Sequence, residues 1–163
     1  MNLPRSLLFS LFSGRIRGVP EDFIVEEIPA FEASGEGEHL LLTLQKRGMN
    51  TVFCAETIAR WAGVDAREVS FAGMKDRHAL TTQRFSVRLP KKTSPDVNLL
   101  NTDACKVTEA VWHNRKLARG ALAGNRFILT LRELSGGRDL LEQALRAIDR
   151  EGVPNYFGEQ RFG

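Results

Sequence analysis

The sequence predicts an α+β fold with a mainly antiparallel or mixed sheet flanked by helices. Three observations lead there. Short β-rich runs outnumber helix-period segments, these runs follow one another closely along the chain, and only two stretches repeat apolar residues at helical spacing. With 163 residues, 42% of them apolar and 26% charged, the chain suits one domain. A domain of that size buries roughly 70% of its unfolded surface and needs no disulfide or metal staple. The same proportions exclude a disordered tail, a collagen-like repeat and a disulfide-dense secreted module. The longest uncharged apolar stretch, Ser6–Ser13, is eight residues, far below the roughly 20 that cross a bilayer. No membrane span is expected.

The elements follow in order. Gly14–Ile28 reads as a turn punctuated by Pro20-Glu21-Asp22, then a strand over Phe23–Ile28. Pro29–Gly37 is a loop of glycine, serine and acids, and His39–Lys46 is a second, largely buried strand. Asn50 is a helix cap, Val52–Ala62 has helical spacing and Gly63 stops it. A short strand over Val69–Ala72 runs into Gly73–His78. Ala79–Leu89 then alternates, with Thr82, Arg84, Ser86 and Arg88 on one face and Phe85, Val87 and Leu89 on the other. Lys91–Asn101 is a polar linker, Cys105–His113 a strand, Leu117–Ala123 a basic Gly-bearing loop, and Asn125–Leu134 one further strand. Asp139–Arg150 is a helix whose stripe is Leu140, Leu141, Ala144, Leu145 and Ile148. The ending is turn-rich and then aromatic-rich, which suggests a piece of a longer polypeptide.

Net charge is only +3, but its distribution is uneven. Phe71–Arg132 holds twelve Lys or Arg against four Asp or Glu, while the rest holds eleven against sixteen. A basic middle in an acidic frame suggests a polyanion-binding face, although solvated surface gives the same count. Cys54 and Cys105 form no CxxC pair and read as buried, reduced thiols in a cytoplasmic protein. Arg5 before a short apolar run has no small-residue cleavage pattern after it, so no secretory signal is expected.

Two segments carry candidate chemistry. In Phe71–Gln83, Asp76 sits between Lys75 and Arg77 on a turn opened by Gly73, a carboxylate available as nucleophile or base. The plain alternative is a surface ion-pair turn, with His78 a packing or hydrogen-bonding residue. The motif holds no second carboxylate, which argues against a paired-acid hydrolase. In His113–Phe127, the cations Arg115, Lys116, Arg119 and Arg126 accompany glycines, Asn125 and Phe127. Glycines admit a phosphate to the backbone, cations neutralise it, and a ring stacks on an unstacked base. The alternative is a basic loop before a strand with Phe127 in the core. His113 and Cys105 lack a second pair at zinc spacing, so no metal site is expected.

These segments, together with Asn155–Gly163 and the opening Pro20–Glu27 with Gly35–Leu40, resemble successive motifs of the tRNA pseudouridine synthase D (TruD) family. The resemblance runs from about Arg17 to Gly163 with the motifs in family order. It implies a pseudouridine-synthase-like catalytic domain that isomerises uridine to pseudouridine in tRNA, at position 13 in bacterial members, without metal or organic cofactor. It implies that residues 1–163 are the N-terminal part of that domain, with an inserted domain and the C-terminal part absent. Asp76 falls on the family's catalytic aspartate, Arg17 on a basic residue expected to pair with it, and Asn125 and Phe127 on supporting active-site positions. Lys75, Arg77, His78, His113, Arg115, Lys116, Arg119, Gln160 and Arg161 are expected to meet RNA. Ala118 departs from the pattern, standing where family members often carry a further arginine. The expected partner is tRNA, met as a monomer and away from membranes. The rival expectation is a non-catalytic RNA-binding module, or an inactive fragment, that uses the basic 71–132 region.

Overall fold

The computed structural model describes residues 13–154. In chain order the elements are β1 (Ser13–Arg15), β2 (Phe23–Pro29), β3 (His39–Arg47), α1 (Thr51–Ala62), β4 (Val69–Phe71), β5 (Leu80–Arg88), β6 (Cys105–His113), β7 (Leu122–Leu129), β8 (Arg132–Ser135) and α2 (Arg138–Glu151). Short 3₁₀ turns at Pro20–Asp22, Ala66–Glu68 and Val97–Leu100 join them. The chain divides into two compact units. One comprises residues 16–130; the other takes the described residues 13–15 and 131–154.

The larger unit is a six-stranded mixed sheet in the order β6-β3-β5-β2-β7, with β4 added beside β5. Every pairing is antiparallel except β2 with β5, where Ile24 stands opposite Leu80 and Glu26 opposite Thr82. Strand β5 is therefore central, flanked by β3 along its length and by β2 and then β4 on its other side. That position explains why its polar face is enclosed: Arg84 is 7% exposed and Ser86 is fully buried. Ser86 Oγ meets Ser70 Oγ at 2.8 Å and accepts the Leu117 N–H at 3.0 Å. A buried hydroxyl needs such partners, and here a neighbouring strand and a covering loop supply them.

Helix α1 forms where its caps require. Asn50 Oδ1 accepts the Phe53 N–H at 2.7 Å, and Gly63 ends the helix in the left-handed region at φ 66°. Its inner face, including Cys54, Ile58 and Ala59, packs on Leu40, Leu42 and Leu44 of β3 and Phe85 and Val87 of β5. Cys54 and Cys105, remote in sequence, are both free thiols enclosed in this core. The hydrogen bond to Cys105, reinforced by burial, pushes the Cys54 thiol up. Burial also pushes the ammonium of Lys46, on β3, down to about 8, with Met49 O accepting from its Nζ at 3.1 Å.

The β2–β3 loop is held by a close approach. A Cβ at Gly37, whose φ is 122°, would lie 2.1 Å from the His113 carbonyl oxygen. Only glycine fits there.

The smaller unit pairs β1 with β8 antiparallel, Ser13 opposite Ser135, and carries α2. Two expectations are corrected here. The single strand over Asn125–Leu134 is two strands, because β7 pairs with β2 as far as Leu129 whereas β8 pairs with β1. The opening turn at Gly14 is part of β1.

Candidate active site

The site lies in the larger unit, where the β4–β5 loop meets one face of β2 and β7. Strand alternation puts Phe23, Val25 and Glu27 on a common face of β2. Register sets Asn125 opposite Glu27 and Phe127 opposite Val25. Above this face the loop brings Met74, Lys75 and Asp76, and together with Arg17 these residues line a cleft of about 220 Å³.

Asp76 is held at both oxygens. Oδ1 accepts the His78 N–H at 2.8 Å, a local turn of the Asx type, and Oδ2 is 3.1 Å from Arg17 Nη2. The pair is partly open to solvent, with side-chain exposures of 33% for Asp76 and 42% for Arg17. Arg17 adopts φ 58°, a left-handed conformation that a residue with a Cβ takes at a cost of about 1–2 kcal/mol. Its guanidinium also lies 4.3 Å from the Phe23 ring centroid, and Phe23 stacks on Phe127 at 6.0 Å and 11°. The cleft thus combines an ion-paired carboxylate with a flat aromatic wall, and Phe127 is 57% exposed rather than core.

The remaining expected contacts divide. Arg77 and His78 are exposed beside Asp76. Arg115, Lys116 and Arg119 are exposed on the 113–122 segment: Arg115 lies 5.5 Å from the Phe31 ring centroid, Arg119 4.1 Å from that of Phe71, and Lys116 Nζ donates to Arg67 O at 2.8 Å. Gln160 and Arg161 lie outside the described residues.

Lys75 and His113 are corrections, because both side chains are buried and engaged by partners inside the protein. Lys75 Nζ is 2.7 Å from Glu27 Oε2, with side chains only 4% and 3% exposed, so its charge is neutralised inside the protein. His113 is buried, stacks on Phe31 at 4.9 Å, and accepts the Ser34 N–H at Nδ1. That bond requires a neutral ring, and burial followed by the Arg115 charge pushes its pKa down.

Sequence reasoning passed over Phe23, Glu27, Thr51 and Gln83. Thr51 and Gln83 are fully buried and hydrogen-bond to the Gly73–Lys75 backbone. The signal for Gln83 was its phase: it stands two residues before Phe85, a polar residue at a core-facing strand position. Among the described residues no group of three His, Cys, Asp or Glu could hold a metal ion. No helix among them is long and apolar enough to cross a membrane.

Comparison with known proteins follows the same residues. The family model of tRNA pseudouridine synthase D (TruD) matches residues 10–163. A tRNA pseudouridine synthase D of Xanthomonas axonopodis pv. citri (strain 306) is 58% identical over 99% of this chain and 44% of its own length. One from Methylococcus capsulatus is 53% identical over 99% of this chain and 46% of its own. A crystal structure from Methanosarcina mazei assigned to the same synthase D family superposes with a TM-score of 0.84 at 33% identity, covering all of this chain and 38% of that one. The chain thus spans less than half the length of the curated relatives it matches. With the motifs, the sheet and the family match in agreement, the chain belongs to the tRNA pseudouridine synthase D family.

Proposed function

We propose that this chain carries the acid of a tRNA pseudouridine synthase and isomerises a uridine, at position 13 of tRNA by family resemblance, through Asp76. The observation that carries the reading is the cleft itself: a carboxylate paired with Arg17 at 3.1 Å, facing a wall of stacked Phe23 and Phe127. A target uridine leaves the stack at a cost of a few kcal/mol, and a flat ring at the receiving site offsets part of that cost. Asp76 then attacks the nucleotide or takes a sugar proton. The N1–C1′ bond breaks, the uracil turns, and C5 bonds to C1′; a carboxylate that has bonded the nucleotide is released as that bond forms, and a sugar proton that has been taken is returned. A base removes the C5 proton, Asp76 being a candidate, and N1 gains one. Atoms and charge balance without a co-reactant. Arg17 keeps the carboxylate aimed. Asn125 and Phe127, lining the same cleft, support the acid or contact the base.

On this reading residues 1–163 form the first part of the catalytic domain, an inserted domain and later strands belonging to the remainder. The exposed cations Arg77, Arg115, Lys116 and Arg119, with His78, Gln160 and Arg161, meet the tRNA backbone. The test is Asp76→Asn in the longest natural polypeptide containing this chain, scoring pseudouridine in tRNA. The expected outcome is loss of product with tRNA binding retained. Unchanged product refutes the assignment, and binding without product in the parent protein favours the non-catalytic RNA-binding module.

A further inference from the structure

We propose that Thr51 and Gln83 are positioning residues, a buried pair that fixes the backbone of Gly73–Lys75 and thereby aims Asp76. The inference rests on the reading of Asp76 given above and supplies the device that sets its direction. Asp76 needs such a device, because its visible partner does not hold it firmly. The Arg17–Asp76 pair is about a third or more exposed at each side chain. Pairs of that kind contribute about 0–1 kcal/mol. The Asx turn to the His78 N–H is local to the loop, so the backbone that carries the acid must itself be fixed from beneath.

The loop leaves the sheet after Phe71, where β4 ends, so its backbone groups need partners other than a strand. Two side chains from different elements supply them. The Lys75 N–H donates to Thr51 Oγ1 at 2.9 Å, and the Gly73 carbonyl accepts from Gln83 Nε2 at 2.6 Å. Thr51 and Gln83 meet each other at 3.1 Å through Oγ1 and Oε1. The direction of each bond is forced. The Lys75 N–H is a donor, so Thr51 Oγ1 accepts it and gives its single proton to the Gln83 carbonyl oxygen. That choice turns the Gln83 NH₂ toward Gly73 O, and the reversed amide would oppose oxygen to oxygen. Both side chains are 0% exposed.

An apolar residue at either position would pack in the core without needing a partner. A buried threonine and glutamine are tolerated only because the loop satisfies them. Thr51 stands in the first turn of α1 and Gln83 in the central strand β5, two of the better anchored places in the unit. Asp76 follows Lys75 directly, so any drift of this backbone moves the carboxylate with it. A misplacement of about 1 Å at a reacting group costs about 100-fold in rate.

The experiment compares Thr51→Val, which keeps the shape and removes the hydroxyl, with Thr51→Ser, which keeps the hydroxyl. Both are made in the longest natural polypeptide containing this chain, with tRNA as substrate. Thr51→Val is expected to lower kcat about 100-fold and leave KM for tRNA within about threefold. Thr51→Ser is expected to restore kcat to within about fivefold of the parent, and Lys75 amide exchange is expected to quicken about tenfold or more in Thr51→Val alone. Parent-like kcat in Thr51→Val, equal losses in both variants, or a change confined to KM overturns the inference. Should Thr51→Val not fold, Gln83→Met carries the same expectation, and parent-like kcat there overturns it. A parent protein that forms no pseudouridine refutes the reading of Asp76 and takes this inference with it. An active parent with parent-like variants refutes the inference alone.

Discussion

Lys75 and Asp76 are neighbours in the chain and opposites in environment. Lys75 turns inward to Glu27 in a pair that is almost wholly enclosed, at 2.7 Å, while Asp76 turns outward to Arg17 in a pair open to solvent, at 3.1 Å. The first pair has little water to screen it and cannot lose one member cheaply; the second is screened and free to exchange its cation for a ligand. A charged triplet that looks uniform in sequence therefore divides into a structural anchor and an addressable acid. The difference teaches that cations in a motif cannot be counted as ligand contacts until their partners are known.

The comparison breaks first at the anchor. Lys75→Met leaves the Glu27 carboxylate buried without its cation and is expected to destabilise folding by about 3–5 kcal/mol in urea unfolding. A loss below about 1 kcal/mol would mean that the pair is not sealed. A second enclosed amine sharpens the point. Lys46 is only 1% exposed and rests on a backbone carbonyl rather than a carboxylate, and burial brings its pKa from 10.5 to about 8. Between those values the unfolded chain keeps a proton that the native state has released, so stability rises with pH. The expected gain from pH 8 to 10.5 is on the order of 1–3 kcal/mol. Lys46→Met should flatten that slope, and a parent whose stability is level across the window would contradict it.

The outward pair should respond less. Arg17→Ala is expected to change stability by less than about 1 kcal/mol, yet to lower pseudouridine formation markedly, since the acid loses its partner. Smaller still is the effect of the surface cations. Replacing Arg115, Lys116 and Arg119 by glutamine should make the salt dependence of tRNA binding shallower by about 0.7–0.9 for each phosphate no longer neutralised. An unchanged slope would remove that segment from the RNA-binding face.

Much of the fold was legible because its signals are local. Asn50 and Gly63 bracket α1 as their chemistry requires, and Cys105–His113 reads as a strand with its observed bounds. The break between β7 and β8 was not legible, because apolar alternation continues through Leu129 and Leu131. What divides it is a change of pairing partner, from β2 to β1, both far earlier in sequence. Lys75 was misread for the same kind of reason, as its partner stands 48 residues upstream on another strand. Arg17 stood out through resemblance alone, whereas Asp76, Asn125 and Phe127 were marked first by their basic, glycine-bearing surroundings and not by periodicity. Gln83 could have been found from its phase with Phe85 and Val87, but a polar residue in a strand draws notice only once that face is known to be inside.

The crowding of Gly37 against the His113 carbonyl has a mechanical consequence. It seats the long β2–β3 connection against the end of β6, where Phe31 stacks on His113 and lies beneath the Arg115 guanidinium. A loop of this length would ordinarily be a slack tether. Pinned in this way it becomes a fixed footing for the Arg115 guanidinium, whose direction is then set by a ring far from it in sequence.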